Sequence, residues 1–243
     1  MTRNSDPIAT SVWVRPPRGR RGQPTLSRDQ IVSAAIELLD AKGLAGLSMR
    51  RLGTKLGAGA TSFYWYVANK DELLELAVDE IMGEVEIPDP EVVGWRPAAT
   101  GLVQGVRTVI LRHSWMTGLF GIHPAIGPQA MRVGDRMVAV LTAAGFAGME
   151  LAHASSLLMS HAIGSATTDA ALHTATARAG KSANELVEEM GPYISSIASD
   201  YPSYVKWWSE NKSVDVEKLQ EDSFNFGLER LLDGLETWLD RPK

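Results

Sequence analysis

The segment that decides the fold reads Leu56-Gly57-Ala58-Gly59-Ala60-Thr61-Ser62-Phe63-Tyr64-Trp65-Tyr66-Val67 and continues as Asn69-Lys70-Asp71-Glu72-Leu73. A glycine turn opens a short predicted helix in which Phe63 and Val67 lie one turn apart and face inward. The other hydroxyl and aromatic side chains are then exposed, which is unusual for so short a helix unless that surface binds a partner. The segment predicts a helix that is offered to the major groove of DNA.

Two helices are predicted upstream of this segment. Ser27-Arg28-Asp29-Gln30 is a capping-box pattern, which marks a helix start. Apolar residues then recur at helical spacing up to Leu39, and Gly43 supplies a left-handed stop. Ser48 is suited to cap a second helix that ends at Gly57. A longer helix followed by two short ones, joined through a glycine turn, predicts a helix-turn-helix unit.

Residues 31–77 resemble the amino-terminal domain of the TetR family, the tetracycline-repressor-like transcriptional regulators. The residues that carry the resemblance are Ala34-Ala35, Leu38-Leu39, Gly43-Leu44, Gly46 to Leu52, Leu56-Gly57, Tyr64 to Val67 and Asn69 to Leu73. Their order and spacing are more specific than helical periodicity alone. The resemblance implies an all-α protein, with a three-helix DNA-binding domain and a larger helical domain for ligand binding and dimerisation.

The resemblance also implies which side chains meet DNA. Tyr64 and Lys70 match family positions that contact phosphates, and such contacts position the protein without reading sequence. Arg50 matches a position that reads a base or grips the backbone. Ala60 and Thr61 differ from the tetracycline repressor at base-reading positions, so its operator is not implied. The full expected DNA-binding set is Ser48, Arg50, Ala60, Thr61, Ser62, Tyr64, Trp65, Tyr66 and Lys70.

Charge is divided unevenly along the chain. Residues 1–70 hold 11 Lys or Arg against 4 Asp or Glu, whereas residues 71–243 hold 13 against 25. The net charge of −5 therefore conceals a basic amino-terminal part, and a local basic surface is sufficient to neutralise phosphates. Arg50 and its cationic neighbours alone would be typical of a solvated helix face. Their combination with surplus aromatic residues favours DNA binding.

Three regions are expected along the chain. Residues 1–26 are rich in Arg, Pro and Gly, which predicts a flexible basic arm. Its arginines, Arg18, Arg20 and Arg21, either enter a minor groove or give only weak nonspecific attraction. Residues 27–86 are expected to form the DNA-binding domain with a linking helix, and residues 87–243 the helical second domain.

The second domain begins after Ile87-Pro88-Asp89-Pro90 and is predicted to be helical throughout. The expected helices are Trp95 to His113, Pro128 to Ala144, Met149 to Ala166, Asn184 to Ser199 and Val216 to Leu239. The last one is apolar over more than one face, which indicates a second packing partner. The resemblance implies that it forms a homodimer interface together with Met149 to Ala166. Two reading helices one DNA turn apart also require a dimer.

An effector is expected in the second domain, where aromatic and methionine side chains are suited to an apolar cavity. The candidate ligand-binding set is Trp115, Met116, Phe120, His123, Met131, His153, Leu157 and His161. His153 and His161 are eight residues apart, hence on nearly the same helix face. The alternative is that these are ordinary core residues. No spacing indicates a metal, and no cofactor is expected.

The function favoured by these patterns is ligand-controlled repression. A small molecule would shift the helix from Asn69 to Gly83 and release the protein from a pseudo-palindromic double-stranded operator. An activator built from the same parts is the main alternative. A constitutive architectural protein is disfavoured by the acidic second part, and an enzyme by the lack of a catalytic constellation. The absence of cysteine and of a long apolar run predicts a cytoplasmic protein with no membrane partner.

Overall fold

The computed structural model describes residues 11–14, 26–57, 66–122, 125–211 and 214–241. Within these ranges the regular structure is helical, as predicted, and no strand is found. The helices are α1 Arg28–Gly46, α2 Met49–Leu56, α3 Lys70–Met82, α4 Pro90–Val93, α5 Trp95–Arg112, a 3-10 helix Ser114–Leu119, α6 Pro128–Ala144, α7 Gly148–Ala179, α8 Ala183–Ser196, α9 Pro202–Asn211 and α10 Val216–Leu239.

The predicted starts and stops of the first two helices are confirmed. The Ser27 hydroxyl accepts from the Gln30 amide at 3.1 Å, and the Gln30 side chain accepts from the Ser27 amide at 2.8 Å. Regular helix geometry breaks at Gly43, whose φ is 63°, before a last short stretch to residue 46. Gly57 ends α2 with a φ of 62°. Glycine adopts such values without steric cost, so the turns fall where the sequence places them.

The linking helix α3 is buried on almost every side. Its buried residues are Glu72, Leu73, Leu74, Glu75, Leu76, Ala77, Asp79, Ile81 and Met82. Asn69 caps it as predicted, accepting from the Glu72 amide at 2.8 Å. The Glu72 carboxylate reaches one residue further back than a capping box would, to the Ala68 amide at 2.7 Å. Helix α3 packs against α1 on one side and α6 on the other.

Three later helices differ from the prediction, of which α8 differs least, because it begins at Ala183 and ends at Ser196 where Asn184 to Ser199 was predicted. Helix α7 continues past Ala166 to Ala179, because the intervening Ala- and Thr-rich sequence contains no proline or glycine stop before Gly180, whose φ is 65°. Helix α9 was not predicted, because it has no buried residue and hence no apolar periodicity. The bounds predicted for α6 and α10 coincide with the observed ones.

The chain divides into two compact units, residues 1–155 and 156–243. The first contains the DNA-binding region together with α4 to α6, and the dividing point lies inside α7. The boundary predicted after residue 86 follows the proline-rich break, whereas the packing does not, because α3 lies directly against α6. In the second unit, α10 contributes the buried residues Phe224, Leu228, Leu232 and Leu235.

The capping box Ser182–Glu185 begins α8 in the second unit. Hydrogen bonds from the backbone and then the hydroxyl of Ser182 hold the pKa of the Glu185 carboxyl below its usual value.

Among the described helices, none is by itself long and apolar enough to cross a membrane; α6 and α7 pass that test only as a pair bent by 119°.

The expectation of a flexible arm is wrong for residues 11–14. These residues form a turn, and Ser11 within it is completely buried. The cause is a hydrogen-bond acceptor on α3: the Glu75 carboxylate takes the Ser11 hydroxyl at 2.6 Å. Arg18, Arg20 and Arg21 lie outside the described residues, so their predicted groove contacts stay predictions.

Candidate DNA interface and effector-side cavity

The predicted DNA-binding residues divide into two groups. Ala60, Thr61, Ser62, Tyr64 and Trp65 lie outside the described residues, and their roles stay predictions. Ser48, Arg50, Tyr66 and Lys70 are described, and they frame that segment on both sides.

Helix α2 presents Ser48 and Arg50 at its amino-terminal end. The Ser48 hydroxyl accepts from the Arg51 amide at 3.2 Å, so this residue is the helix cap. Arg50 is exposed, and none of the described side chains holds its guanidinium by a hydrogen bond or an ion pair. Such a guanidinium is available to an external acceptor such as a base or a phosphate.

Two cations meet at the carboxy-terminal end of α1. The Lys70 ammonium donates to the Leu44 carbonyl at 2.9 Å. The Arg51 guanidinium donates to the Gly46 carbonyl at 3.1 Å. Both contacts satisfy carbonyls that a helix end leaves open, and the positive charge complements the helix dipole there. The starts of α2 and α3 are thereby held to one point, and the ammonium keeps two further N–H groups for a phosphate.

Tyr66 is half-buried, and its hydroxyl donates to the Leu26 carbonyl at 2.5 Å. This bond joins the residue that follows the undescribed reading segment to the residue just before the cap of α1. The hydroxyl is therefore engaged within the protein, which leaves the ring edge for the predicted contact with bases.

Two carboxylates form a junction between α1 and the elements that we call the effector side, which are α5, the 3-10 helix and α6. One oxygen of Asp40 accepts from the His113 Nδ1 and from the Trp115 Nε1, each at 2.7 Å. The other imidazole nitrogen of His113 lies 3.3 Å from the Glu84 carboxylate, which also pairs with Arg112 at 2.6 Å. His113 is 4% exposed. A ring buried between two carboxylates fixes α1 to the end of α5.

A second junction connects α3 with α6. The Asp79 carboxylate accepts from the amides of Gln129 and Ala130, both at 3.0 Å, and so caps α6 from a neighbouring helix. In return, the Arg132 guanidinium donates to the carbonyls of Gly83 and Val85 at 3.1 Å and satisfies the end of α3. Each helix thus completes the other's terminus.

A cavity of about 60 Å³ lies beside this junction, and Asp79 is part of its wall. Its walls come from α3, the 3-10 helix, the residues before α6 and the amino-terminal turn. Two of the predicted ligand-binding residues, Met116 and Phe120, line the cavity. Trp13, which is not among the predicted residues, also lines it. The cavity is far smaller than the roughly 300–1,000 Å³ of an ordinary ligand pocket.

The remaining predicted ligand residues lie elsewhere. Trp115 is bound to Asp40, while Met131, His153 and Leu157 are exposed. His123 lies outside the described residues. A ligand role for these side chains stays a prediction. In the described ranges, no three acidic or histidine side chains are grouped as a metal site would require.

His161 has a structural contact in the second unit. Its Nε2 donates to the Phe224 carbonyl at 2.9 Å, and its ring stacks on the Phe224 ring with centroids 5.0 Å apart. A Cβ on Gly227 would lie 2.5 Å from its Cε1, so the glycine lets α10 approach this ring. The imidazole is thus part of the packing between α7 and α10.

Sequence reasoning missed two buried carboxylates of α3, Glu75, which holds the amino-terminal turn, and Asp79, which forms the junction with α6. Glu75 and Asp79 are four residues apart, hence on one face of α3, among leucines and alanines that are buried. Acidic residues inside an apolar stripe are the signal that could have found them. The role of Trp13 had a weaker signal: it is the only aromatic residue of the arm and stands between Val12 and Val14.

Comparison with known proteins agrees with this architecture. Residues 31–77 match the family described as bacterial regulatory proteins, tetR family, and residues 87–239 match the tetracyclin repressor-like C-terminal domain. An HTH-type transcriptional regulator from Saccharopolyspora erythraea is 35% identical over 202 residues, covering 83% of each chain. The HTH-type transcriptional repressor DrrR1 from Streptomyces coeruleorubidus is 33% identical over 225 residues, covering 91% of this chain and 81% of the relative.

Solved structures show the same similarity. The TetR family protein ActR from Streptomyces coelicolor, in complex with actinorhodin, has a TM-score of 0.73 and 29% identity. That alignment covers 89% of this chain and 99% of ActR. With matches to both domains of the family and a relative 35% identical over 83% of its length, the chain belongs to the TetR family of DNA-binding transcriptional regulators.

Proposed function

We propose that this regulator is a homodimeric repressor that leaves a pseudo-palindromic operator when a small molecule binds. The observation that carries the proposal is the position of α3. Its first residue, Lys70, is a predicted phosphate contact, and its last turns are bonded to α6 through Asp79 and Arg132. A displacement on the effector side therefore reaches the DNA-binding side through one buried helix.

Similarity supports repression and a small-molecule effector. DrrR1 is named a transcriptional repressor, and ActR has been solved with actinorhodin bound. The two junctions of the first unit give such a ligand a physical route, because both α1 and α3 are tied to effector-side elements. Allosteric coupling of roughly 1–3 kcal/mol changes affinity about 5–150-fold, which is sufficient to release a promoter.

The homodimer is supported by α10. Phe224 and Leu228 on this helix are buried, whereas Leu219 and Phe226 are 41% and 63% exposed. Exposed apolar side chains beside a packed face are suited to a second subunit. Sedimentation at micromolar concentration is expected to show a dimer, and Phe226→Glu to shift it toward monomer. A wild-type chain that sediments as a monomer contradicts this proposal. Because its partner is operator DNA, we also infer that the dimer works in the cytoplasm.

The operator proposal is tested in two steps. Selection of bound fragments from random DNA is expected to enrich a sequence with two-fold symmetry. Fluorescence anisotropy on that sequence then measures affinity with and without a panel of aromatic compounds that includes actinorhodin. The expected result is an affinity loss of about 5–150-fold for at least one compound. Enrichment of an asymmetric sequence, or affinity that no compound changes, contradicts the proposal.

The route through α3 is tested with Asp79→Asn. This change keeps an oxygen near the amides of Gln129 and Ala130 but removes the charge that favours a helix start. The operator affinity of the ligand-free variant is expected to stay within a few fold of the wild-type value, while the loss of operator affinity on ligand binding becomes smaller. Asp135→Asn, at an exposed position of α6, is the matched control and is expected to change neither quantity. An unaltered ligand response in Asp79→Asn excludes this junction as the route.

Repression itself is tested by transcription. Deletion of the gene is expected to raise expression from the operator-bearing promoter. A fall in expression instead identifies an activator built from the same parts.

A further inference from the structure

The amino-terminal turn makes ligand-like contacts in the first unit. The Ser11 hydroxyl donates to Glu75 Oε2 at 2.6 Å, and the Val12 amide donates to the same oxygen at 3.1 Å. Glu75 is 6% exposed. The two residues are 64 positions apart in the chain, so these bonds fasten a distant segment to the linking helix α3.

Trp13 occupies the space beside this carboxylate. A Cβ on Gly127 would lie 2.7 Å from the Trp13 Cζ2, which shows how closely the ring approaches the backbone before α6. The guanidinium of Arg28 lies 5.4 Å from the ring centroid, as in a cation–π contact. The ring also lines the cavity together with Met116 and Phe120.

We call the cavity, together with the space that Ser11–Trp13 occupies beside it, the seat. Apart from Trp13, the walls of the seat belong to regular elements and to the residues just before α6. Val78 and Leu119 supply apolar surface, while Glu75 and Asp79 supply two carboxylates. An apolar lining with a few convergent polar groups is the composition of a small-molecule site. Removing the Ser11 and Val12 donors costs the buried Glu75 carboxylate two hydrogen bonds, so the seat favours an occupant that replaces them with its own N–H or O–H groups.

We propose that this seat is a ligand site, filled in the free protein by the turn Ser11–Trp13 as an intramolecular stand-in. The ligand class that fits it is a compact aromatic molecule with an ammonium group on a short arm. Its ring takes the place of Trp13 against Met116 and Phe120, and its ammonium donates to Glu75 in place of Ser11 and Val12. The inference rests on the proposed function only in placing a ligand against α3.

Competition with the turn sets the affinity. A segment tethered to its own site has an effective concentration on the order of millimolar. A free ligand therefore binds the wild-type chain weakly, and a chain whose ring is removed binds it more tightly. This difference separates occupation of the seat from binding anywhere else.

The experiment uses the full-length chain with Trp13→Ala, titrated calorimetrically with tryptamine and with indole in the absence of DNA. Tryptamine is expected to bind this variant at least tenfold more tightly than wild type, and more tightly than indole does. Adding Glu75→Gln is expected to remove the preference for tryptamine while indole binding persists. Trp238→Ala is the matched control, because Trp238 also lies under an arginine, Arg241, but is 45% exposed.

Equal tryptamine affinity of Trp13→Ala and wild type overturns the inference, as does a preference for tryptamine that survives Glu75→Gln. If Trp13→Ala loses its cooperative unfolding transition, Trp13→Val carries the same comparison, because its smaller apolar side chain still fills part of the seat. Binding is measured without DNA, so failure here leaves the operator experiment standing. A failed operator experiment, in turn, does not affect the binding result.

Discussion

Asp40 and His113 are joined by a 2.7 Å hydrogen bond that connects the first helix of the DNA-binding region with the end of α5. The same carboxylate oxygen also accepts from the buried Trp115 Nε1. A single acceptor thus satisfies two donors from the effector side, and its removal leaves both without a partner.

Asp40→Ala is therefore expected to lower the free energy of unfolding by about 1–3 kcal/mol, the cost of leaving a buried donor unsatisfied. Urea denaturation measures the change. Glu37→Ala is the matched control on the same helix, because Glu37 forms only a surface pair with Lys55 and its loss is expected to cost roughly 1 kcal/mol or less. Equal losses in the two variants argue against a specific role for the Asp40 junction.

Lys70→Ala is expected to weaken binding to all DNA sequences by a similar factor, because a phosphate contact carries no base information. The slope of log affinity against log salt concentration is expected to become shallower by about 1. Anisotropy titrations at several salt concentrations measure both effects. Lys181→Ala, in the second unit, is expected to leave the slope unchanged. A loss confined to the preferred operator contradicts the phosphate role.

Ser48 allows capping to be separated from DNA contact. Ser48→Ala is expected to destabilise the protein by about 1 kcal/mol, because the Arg51 amide loses its acceptor. Ser48→Asp keeps an acceptor at the cap and adds a negative charge. It is expected to retain stability in thermal unfolding but to bind operator more weakly. If Ser48→Asp binds like wild type, Ser48 is a cap only.

Gly227→Ala is expected to destabilise the second unit, because its methyl group would lie 2.5 Å from the His161 ring and α7 and α10 would have to separate. A loss of about 1–3 kcal/mol is typical of overpacking. The matched control is Gly134→Ala at an open helical position of α6, where alanine is expected to stabilise by up to about 1 kcal/mol. Thermal unfolding compares them, and a neutral Gly227→Ala contradicts the close approach.

What the sequence predicts depends on how far apart in the chain the contacting residues lie. Caps at Ser27, Ser48 and Asn69 act within three or four residues, so local pattern predicted them correctly. The contacts of Asp40, Glu75 and Asp79 join residues 50 or more positions apart, and no local pattern encodes the partner.

The candidate site shows the same contrast. Family resemblance indicated the DNA-binding positions, because their order along the chain is itself the signal. It gave no indication that Trp13 would line a cavity, since a single tryptophan between Val12 and Val14 has no periodicity to interpret. Met116 and Phe120, two of the predicted ligand residues, line the cavity, whereas Trp115, their neighbour, faces Asp40 instead.

Helix α3 is capped at both ends by side chains and bonded to α6 near its far end, so it behaves mechanically as a stiff rod. At 1.5 Å per residue its 13 residues span about 20 Å. A tilt of roughly 5° about the Gly83 end would carry the Lys70 end about 2 Å sideways on a rod of that length. That distance is enough to separate the Lys70 ammonium from the Leu44 carbonyl. A sub-ångström displacement of α3 beside Asp79 therefore becomes a larger displacement at its DNA-binding end.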